Sequence, residues 1–383
     1  VISINPQEQT AIVEPGVRNL AISEAADMYG LYYAPDPSSQ IACTIGGNVA
    51  ENAGGVHCLK YGLTVQNIES IKIMTIDGNE LVFSRSDEGL GLLALMTGSE
   101  GLLGIITEIT VKLTKKPEVA KLIMAGFDSV RDCATGVAEI IKNGIIPAGL
   151  EMMDEFAIQA SEEFARPGYP LGSKALLLCE LDGSEESVIP DVDIVVSLLS
   201  KASSIRVSES EEERLLLWKG RKSAFPAVGR ISPDYYCMDG TIPKRHLADV
   251  LEKINALSKR FNLRVANVFH AGDGNLHPLI LYDAGVPGEL EKTEEFGNEI
   301  LKLCIEVGGS ITGEHGVGVE KLDAMCFQYS DAELDVFHQI KAAFDPQSLL
   351  NPGKAVPSLH RCAELGNMHV HHGNLPHPEL ERF

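Results

Sequence analysis

A chain of 383 residues with 44% hydrophobic and 22% charged residues is long enough for two or three domains with sizeable cores, and its composition excludes disorder over most of its length. The 32 basic against 54 acidic residues leave a net charge of −22, which sets it against phosphate backbones and anionic lipid and argues against nucleic-acid or direct membrane binding. The 8 cysteines are scattered without a CxxC pair. That pattern predicts thiols in a reducing cytoplasm, with Cys179 and Cys304 as core residues. No apolar run approaches the roughly 18–20 residues that cross a bilayer.

Residues 1–13 alternate apolar and polar around an NP turn and predict a hairpin. A helical pattern covers roughly 17–30. From Tyr33 to Gly62 the chain is rich in Gly, Pro, Ser and Asn yet carries apolar residues, the pattern of a long functional loop. Residues 67–85 read as strand, DGN turn, strand. A short helix, a Gly-rich turn and a strand ending near Leu113 follow. KKP at 115–117 marks a boundary. Beyond it lie a strand at LIMAGF, a helix over 128–143, a strand at 175–181 and a helix over 184–201. SESEEERLLLWKGRK predicts a solvated helix, VANVFH and LHPLILY predict strands around AGDGN, and helices are expected over 289–307 and 331–343. The fold class is α+β, divided at 1–115, 116–340 and 341–383.

Five segments carry chemistry. In HAGDGNLH, His270 and His277 flank a tight turn, so their rings either converge on a borderline divalent ion such as Zn²⁺ or Mn²⁺ or are simply hydrogen-bonded in a hairpin. In GGSITGEHGVG, Glu314 offers a carboxylate beside His315, a metal ligand next to a general base, or else both sit in an exposed turn. TIGGNVAENAGG and TGSEGLLGIITEITVKL are Gly-rich segments suited either to a flat cofactor or to structural turns. Arg221, in LLLWKGRK, is either a fork for a substrate carboxylate or a surface helix residue. The tail HVHHGNLPHP is read as a terminal segment that orders or binds a partner.

Taken together, PDPSSQ, IGGNVAENAGG, LKYG, GSEGLLGIITE, HAGDGNLHP, GEHGVG and FDPQSLLNPGK resemble the flavin-linked D-2-hydroxy-acid dehydrogenases, which have a vanillyl-alcohol-oxidase-type FAD domain. The resemblance spans the whole chain. It implies an FAD-binding domain followed by an α/β cap domain with an antiparallel sheet that binds substrate and metal, and a C-terminal return to the flavin. It also implies a phosphate-binding portion ahead of Val1, so the FAD domain is expected to be incomplete and to hold FAD weakly. By resemblance, Pro35, Pro37, Thr44, Gly46, Gly47, Asn48, Asn52, Gly54, Gly55, Glu100, Gly101, Gly104, Ile106 and Asn351 line the flavin. His270, His277 and Glu314 hold a divalent metal, Arg221 binds the substrate carboxylate and His315 is the base.

The implied reaction oxidises a small 2-hydroxy acid, glycolate or D-lactate, to the 2-oxo acid. Hydride goes to FAD and electrons pass onward to a second flavin-type subunit and an iron–sulfur subunit, through which any membrane association would run. Cys237, in DYYCMDGTIP, stands where relatives acting on larger dicarboxylates place a basic residue, and this favours a short substrate. Two rival readings are a flavin-free assembly module and a metal hydrolase built on HAGDGNLH alone.

Overall fold

The computed structural model describes residues 1–357; the HVHHGNLPHP tail lies outside them. The first lobe holds strands β1 (Ser3–Asn5), β2 (Thr10–Val13), β3 (Leu31–Tyr32), β4 (Ile68–Met74), β5 (Glu80–Ser84), β6 (Ile105–Lys112) and β7 (Thr114–Lys115). Five of them form an antiparallel sheet in the order β1-β2-β6-β4-β5, while β3 pairs with β7. In β4 the apolar positions Ile71 and Ile73 alternate onto the core side, against Ile109, Val111 and the buried Ile22 and Ile45 of two helices. Gly78, at φ +78°, makes the turn from β4 to β5.

The second lobe holds β8 (Val119–Phe127), β9 (Gly149–Asp154), β10 (Ala175–Gly183), β11 (Ser204–Val207), β12 (Asp234–Cys237), β13 (Val265–His270) and β14 (Asn275–Tyr282). They pair antiparallel throughout, in the order β11-β8-β10-β9-β13-β14-β12. The apolar run ALLLCEL is buried along its length because β10 lies mid-sheet with both faces covered. Leu177 and Cys179 enter one core with the helices Val130–Lys142, Glu185–Leu198, Leu247–Phe261 and Glu289–Glu306. Leu176 and Leu178 enter another with the helices Glu155–Ala165 and Glu211–Lys222.

The helix Glu211–Lys222 departs from the solvated helix expected of its sequence. Three Glu in its first turn and Lys219, Arg221 and Lys222 in its last complement the helix dipole, yet Leu217, Trp218, Gly220 and Arg221 are buried. Gly220 permits this: a Cβ there would meet the Tyr169 hydroxyl at 2.6 Å. The missing side chain therefore lets the helix seat deeply enough to bury the arginine beside it.

The lobes meet along the Tyr33–Gly62 loop. His57 lies between Asp36 (Nδ1 to Oδ2, 2.8 Å) and Glu180 of β10 (Nε2 to Oε1, 3.0 Å). Lys222 reaches Asp36 at 2.8 Å, and Arg214 and the Trp218 indole donate to Glu180. At the C-terminal end the chain returns to the first lobe, where Lys341 donates to Leu102 O at 2.7 Å and Asn351 to Glu100 O at 2.6 Å.

Candidate active site

β13 and β14 pair with Val268 opposite His277 and His270 opposite Asn275, so the two histidines are diagonal neighbours on one sheet face. Their ring centroids lie 5.1 Å apart. On the adjacent β9, Glu151 stands directly across from His270 and accepts from its Nδ1 at 2.8 Å. That contact leaves His270 Nε2 pointing to Glu314 Oε1, 3.2 Å away. His277 Nε2 is 3.3 Å from the same oxygen, and both nitrogens of its buried ring lack a hydrogen-bond partner.

The donor atoms of His270, His277 and Glu314 all lie within 4.8 Å of one another. Around them the buried carboxylates Glu151 and Asp239 and the partly buried Glu314 face two buried cations, Arg221 and Lys321. An excess of one negative charge, an unsatisfied imidazole and a carboxylate orienting a histidine from behind are what a divalent-ion site of nitrogen and oxygen donors has. These residues fit such an ion. Without one, burial pushes the Glu314 carboxyl up, but His270, with His277 and His315, holds it down at about 2. Burial opposes the His270 imidazolium, yet Glu151 and Glu314 raise its pKa well above the ordinary value.

His315 follows Glu314 but turns outward, its side chain 43% exposed. Its ring stacks on His277, with centroids 4.8 Å apart and planes 15° from parallel. Partial burial lowers its pKa despite the opposing pull of Asp239. Arg221 is 1% exposed; its Nη2 pairs with Glu151 Oε2 at 2.6 Å while Nε and Nη1 have no hydrogen-bond partner. Two free N–H donors on a buried guanidinium are suited to a carboxylate. A cavity of about 550 Å³, lined by Cys58, Leu59, Tyr61, Thr241 and Asn275 among others, reaches Glu314.

The two Gly-rich segments lie side by side: Gly98 N donates to Val49 O and Glu100 N to Ala50 O, each at 2.8 Å. Both border the Glu314 loop, since Gly54 N donates to Glu314 Oε2 at 3.0 Å and the Glu100 carboxylate accepts from Val317 and Gly318 N. A Cβ on Gly101 would meet nothing within 4 Å, and one on Gly47 only the Thr44 hydroxyl. Bare backbone facing open space, on segments that border the Glu314 loop, fits a flat ring system such as the flavin of FAD.

Other residues of the expected flavin set are engaged by protein. Thr44 caps the helix Ile45–Glu51 through Gly47 N. Gly46 packs on Pro15, Gly55 on Asp36 and Gly104 on Ile73. Asn48 accepts from Asn19, Asn52 accepts from Val65 N, and Ile106 packs partly buried on the core. Pro35 O accepts from Asn19, Pro37 O from Gln40 N, and Asn351 holds Glu100 O. Sequence reasoning missed Glu151, Asp239 and His57. Only Glu151 gave a signal, a lone charge inside the apolar run GLEMM.

Residues 116–355 match the family described as FAD linked oxidases, C-terminal domain, and residues 1–84 match an FAD binding domain. The chain belongs to the FAD-linked oxidase family, and it is an oxidoreductase with FAD as cofactor. It is 61% identical to glycolate oxidase subunit GlcD of Escherichia coli (strain K12), over 100% of this chain and 78% of that protein. It is 38% identical to the Bacillus subtilis (strain 168) subunit of the same name, over 92% and 77%. A third relative is the mitochondrial D-lactate dehydrogenase [cytochrome] of Arabidopsis thaliana, at 30% identity over 94% and 64%. Among solved structures, 4-ethylphenol oxidase from Gulosibacter chungangensis superposes with a TM-score of 0.75 at 16% identity, covering 94% of this chain and 79% of that one. p-Cresol methylhydroxylase does so with 0.75 at 18%, over 94% and 78%. The expected vanillyl-alcohol-oxidase-type fold is thereby confirmed.

Proposed function

We propose that this chain oxidises a short 2-hydroxy acid, glycolate or D-lactate, to the corresponding 2-oxo acid. Glycolate oxidase subunits and a D-lactate dehydrogenase among its relatives support the substrate class. The observation that carries the reading is Glu151, whose two oxygens tie His270 of the donor cluster to Arg221.

Oxidation of the C2 alcohol requires loss of the hydroxyl proton and of a hydride. FAD, when bound, supplies the hydride acceptor. A Zn²⁺ or Mn²⁺ ion would be held by His270, His277 and Glu314 and would supply charge stabilisation for the developing alkoxide. Arg221 binds the substrate carboxylate through Nε and Nη1, fixing the C2 hydroxyl toward the histidine cluster. His315, partly exposed and stacked on His277, accepts the hydroxyl proton at an imidazole nitrogen. Cys237 leaves no basic group from that strand for a second carboxylate, so short acids are favoured.

The scattered cysteines carry no iron–sulfur pattern, so electrons leave through partner subunits, a second flavin-type subunit and an iron–sulfur subunit. No helix among the described residues is long and apolar enough to cross a membrane. We place the chain in the cytoplasm, with any membrane association made through those partners. The test is elemental analysis with kinetics: the parent binds one divalent ion and turns over glycolate or D-lactate, while His270→Ala and His277→Ala lose both. Retention of parental metal content by both variants would refute the site.

A further inference from the structure

We infer that Asp239, two residues after β12, is a positioning residue that shapes the turn bearing Glu314 and His315 into its working geometry. This rests on the reading of Glu314 as a metal ligand and His315 as a base.

Asp239 is fully buried. Its carboxylate accepts from three successive backbone N–H groups, those of Gly313 (3.1 Å), Glu314 (3.2 Å) and His315 (2.9 Å). The Thr312 hydroxyl adds a bond at 2.6 Å and Lys321 Nζ another at 3.0 Å. Lys321, 2% exposed, also donates to Gly316 O at 3.0 Å, closing the turn from its far end.

The sequence of the turn explains the need for such an anchor. Gly313 and Gly316 flank the pair, and Gly316 has φ +79°, so the backbone has wide freedom and loses much entropy when fixed. Adjacent residues in extended chain point to opposite sides. Here three amides converge on one anion, an arrangement known from anion-binding nests. The curl brings Glu314 Oε1 within reach of both histidines and lays His315 on His277. A buried carboxylate bonded to charged and backbone donors holds this shape more firmly than a neutral acceptor. Because Lys321 neutralises Asp239, the anchor leaves the charge excess at the donor cluster for the ion.

Asp239, His277 and His315 also bring donor atoms within 4.8 Å of one another, which offers Asp239 as a ligand instead. Oδ2 is already occupied by Thr312, three amides and Lys321, and Oδ1 accepts from Glu314 N, and this favours positioning.

The experiment uses the FAD-loaded protein stripped of divalent ions and titrated with Zn²⁺ or Mn²⁺ alone, followed by steady-state kinetics with glycolate. Asp239→Asn/Lys321→Gln replaces the ion pair by two neutral amides. One ion still binds, its Kd rises about 10–100-fold, and kcat at saturating ion falls by a similar factor while KM changes less. FAD content stays that of the parent, which a merely structural collapse would not allow. Should the double variant not fold, Thr312→Val removes one bond to Asp239 and gives the same losses at several-fold size. Parental Kd and kcat in a folded variant overturn the inference, and so does complete loss of ion binding, which would make Asp239 a ligand. Glu314→Gln run in parallel separates the two readings: if it keeps parental ion affinity, the ligand assignment itself fails.

Discussion

Arg221 Nη2 stands 2.6 Å from Glu151 Oε2, and both side chains are 1% exposed. Glu151 uses its other oxygen to accept from His270 Nδ1. One carboxylate therefore sets the orientation of Arg221 and of His270 together. Glu151→Gln leaves Arg221 as an uncompensated buried charge, and folding stability should fall by about 3–5 kcal/mol. Divalent-ion Kd should rise about 10–100-fold as His270 loses its orienting acceptor. Urea unfolding and ion titration measure the two effects. A Glu151→Gln protein with parental stability and unchanged ion affinity would separate the groups that this contact joins.

Replacing Arg221 by Lys keeps a cation for Glu151 and removes the planar fork. The expected loss is that of charge-assisted bonds to the substrate carboxylate, about 1.5–3 kcal/mol, or roughly 10–150-fold in kcat/KM. The effect should fall mainly on KM, because the carboxylate is bound in ground and transition states alike. Unchanged kinetics with glycolate or D-lactate would reduce Arg221 to a counter-ion.

The His57 latch between the lobes makes stability pH-dependent. Burial works against the His57 imidazolium, but Asp36 and Glu180 raise its pKa to about 10. The unfolded value is about 6.5, so this contribution is fully present below about 6.5 and is lost as pH rises through about 10. Glu180, which burial pushes up, is held at about 2 by His57 and Arg214. Its contribution is present above the ordinary carboxylate range and lost as pH falls through about 2. The stability advantage of the parent over His57→Gln should be largest near pH 6 and shrink by pH 10. Paired urea melts at those pH values decide it, and a constant difference would mean that His57 carries no buried charge.

HAGDGNLH was legible as a hairpin because alternation fixes which side chains share a face, and Gly274, at φ +85°, supplies the turn; the sequence leaves open whether its two rings converge or are only hydrogen-bonded. The Gly-rich segments were legible as a permissive backbone, not as to which way each side chain turns. Asn48 and Asn52 face Asn19 and Val65, as nothing in IGGNVAEN could indicate. Glu151 and His270 are 119 residues apart, and their pairing exists only through the strand order. The burial of Arg221 depended on Gly220 meeting Tyr169, a contact between elements that the charged helix concealed.

The last expectation is that His315 takes the substrate's hydroxyl proton. It follows the carboxylate of the donor cluster, stacks on His277 and keeps 43% of its side chain exposed, so an alcohol can reach it. Only neutral imidazole accepts a proton, so activity should rise with pH as His315 deprotonates. Partial burial lowers its pKa, with His277 and Lys321 adding to the effect against Asp239 and Glu314. That places the acidic limb below the ordinary histidine value of about 6.5. His315→Asn keeps the ring's approximate size and a polar group but accepts no proton at this pH. It should retain FAD and the divalent ion and bind substrate, while reducing the flavin about 10²–10⁴-fold more slowly and losing the limb. Stopped-flow flavin reduction across pH 5–8 measures both. A near-parental rate with the limb in place would show that another group receives the proton.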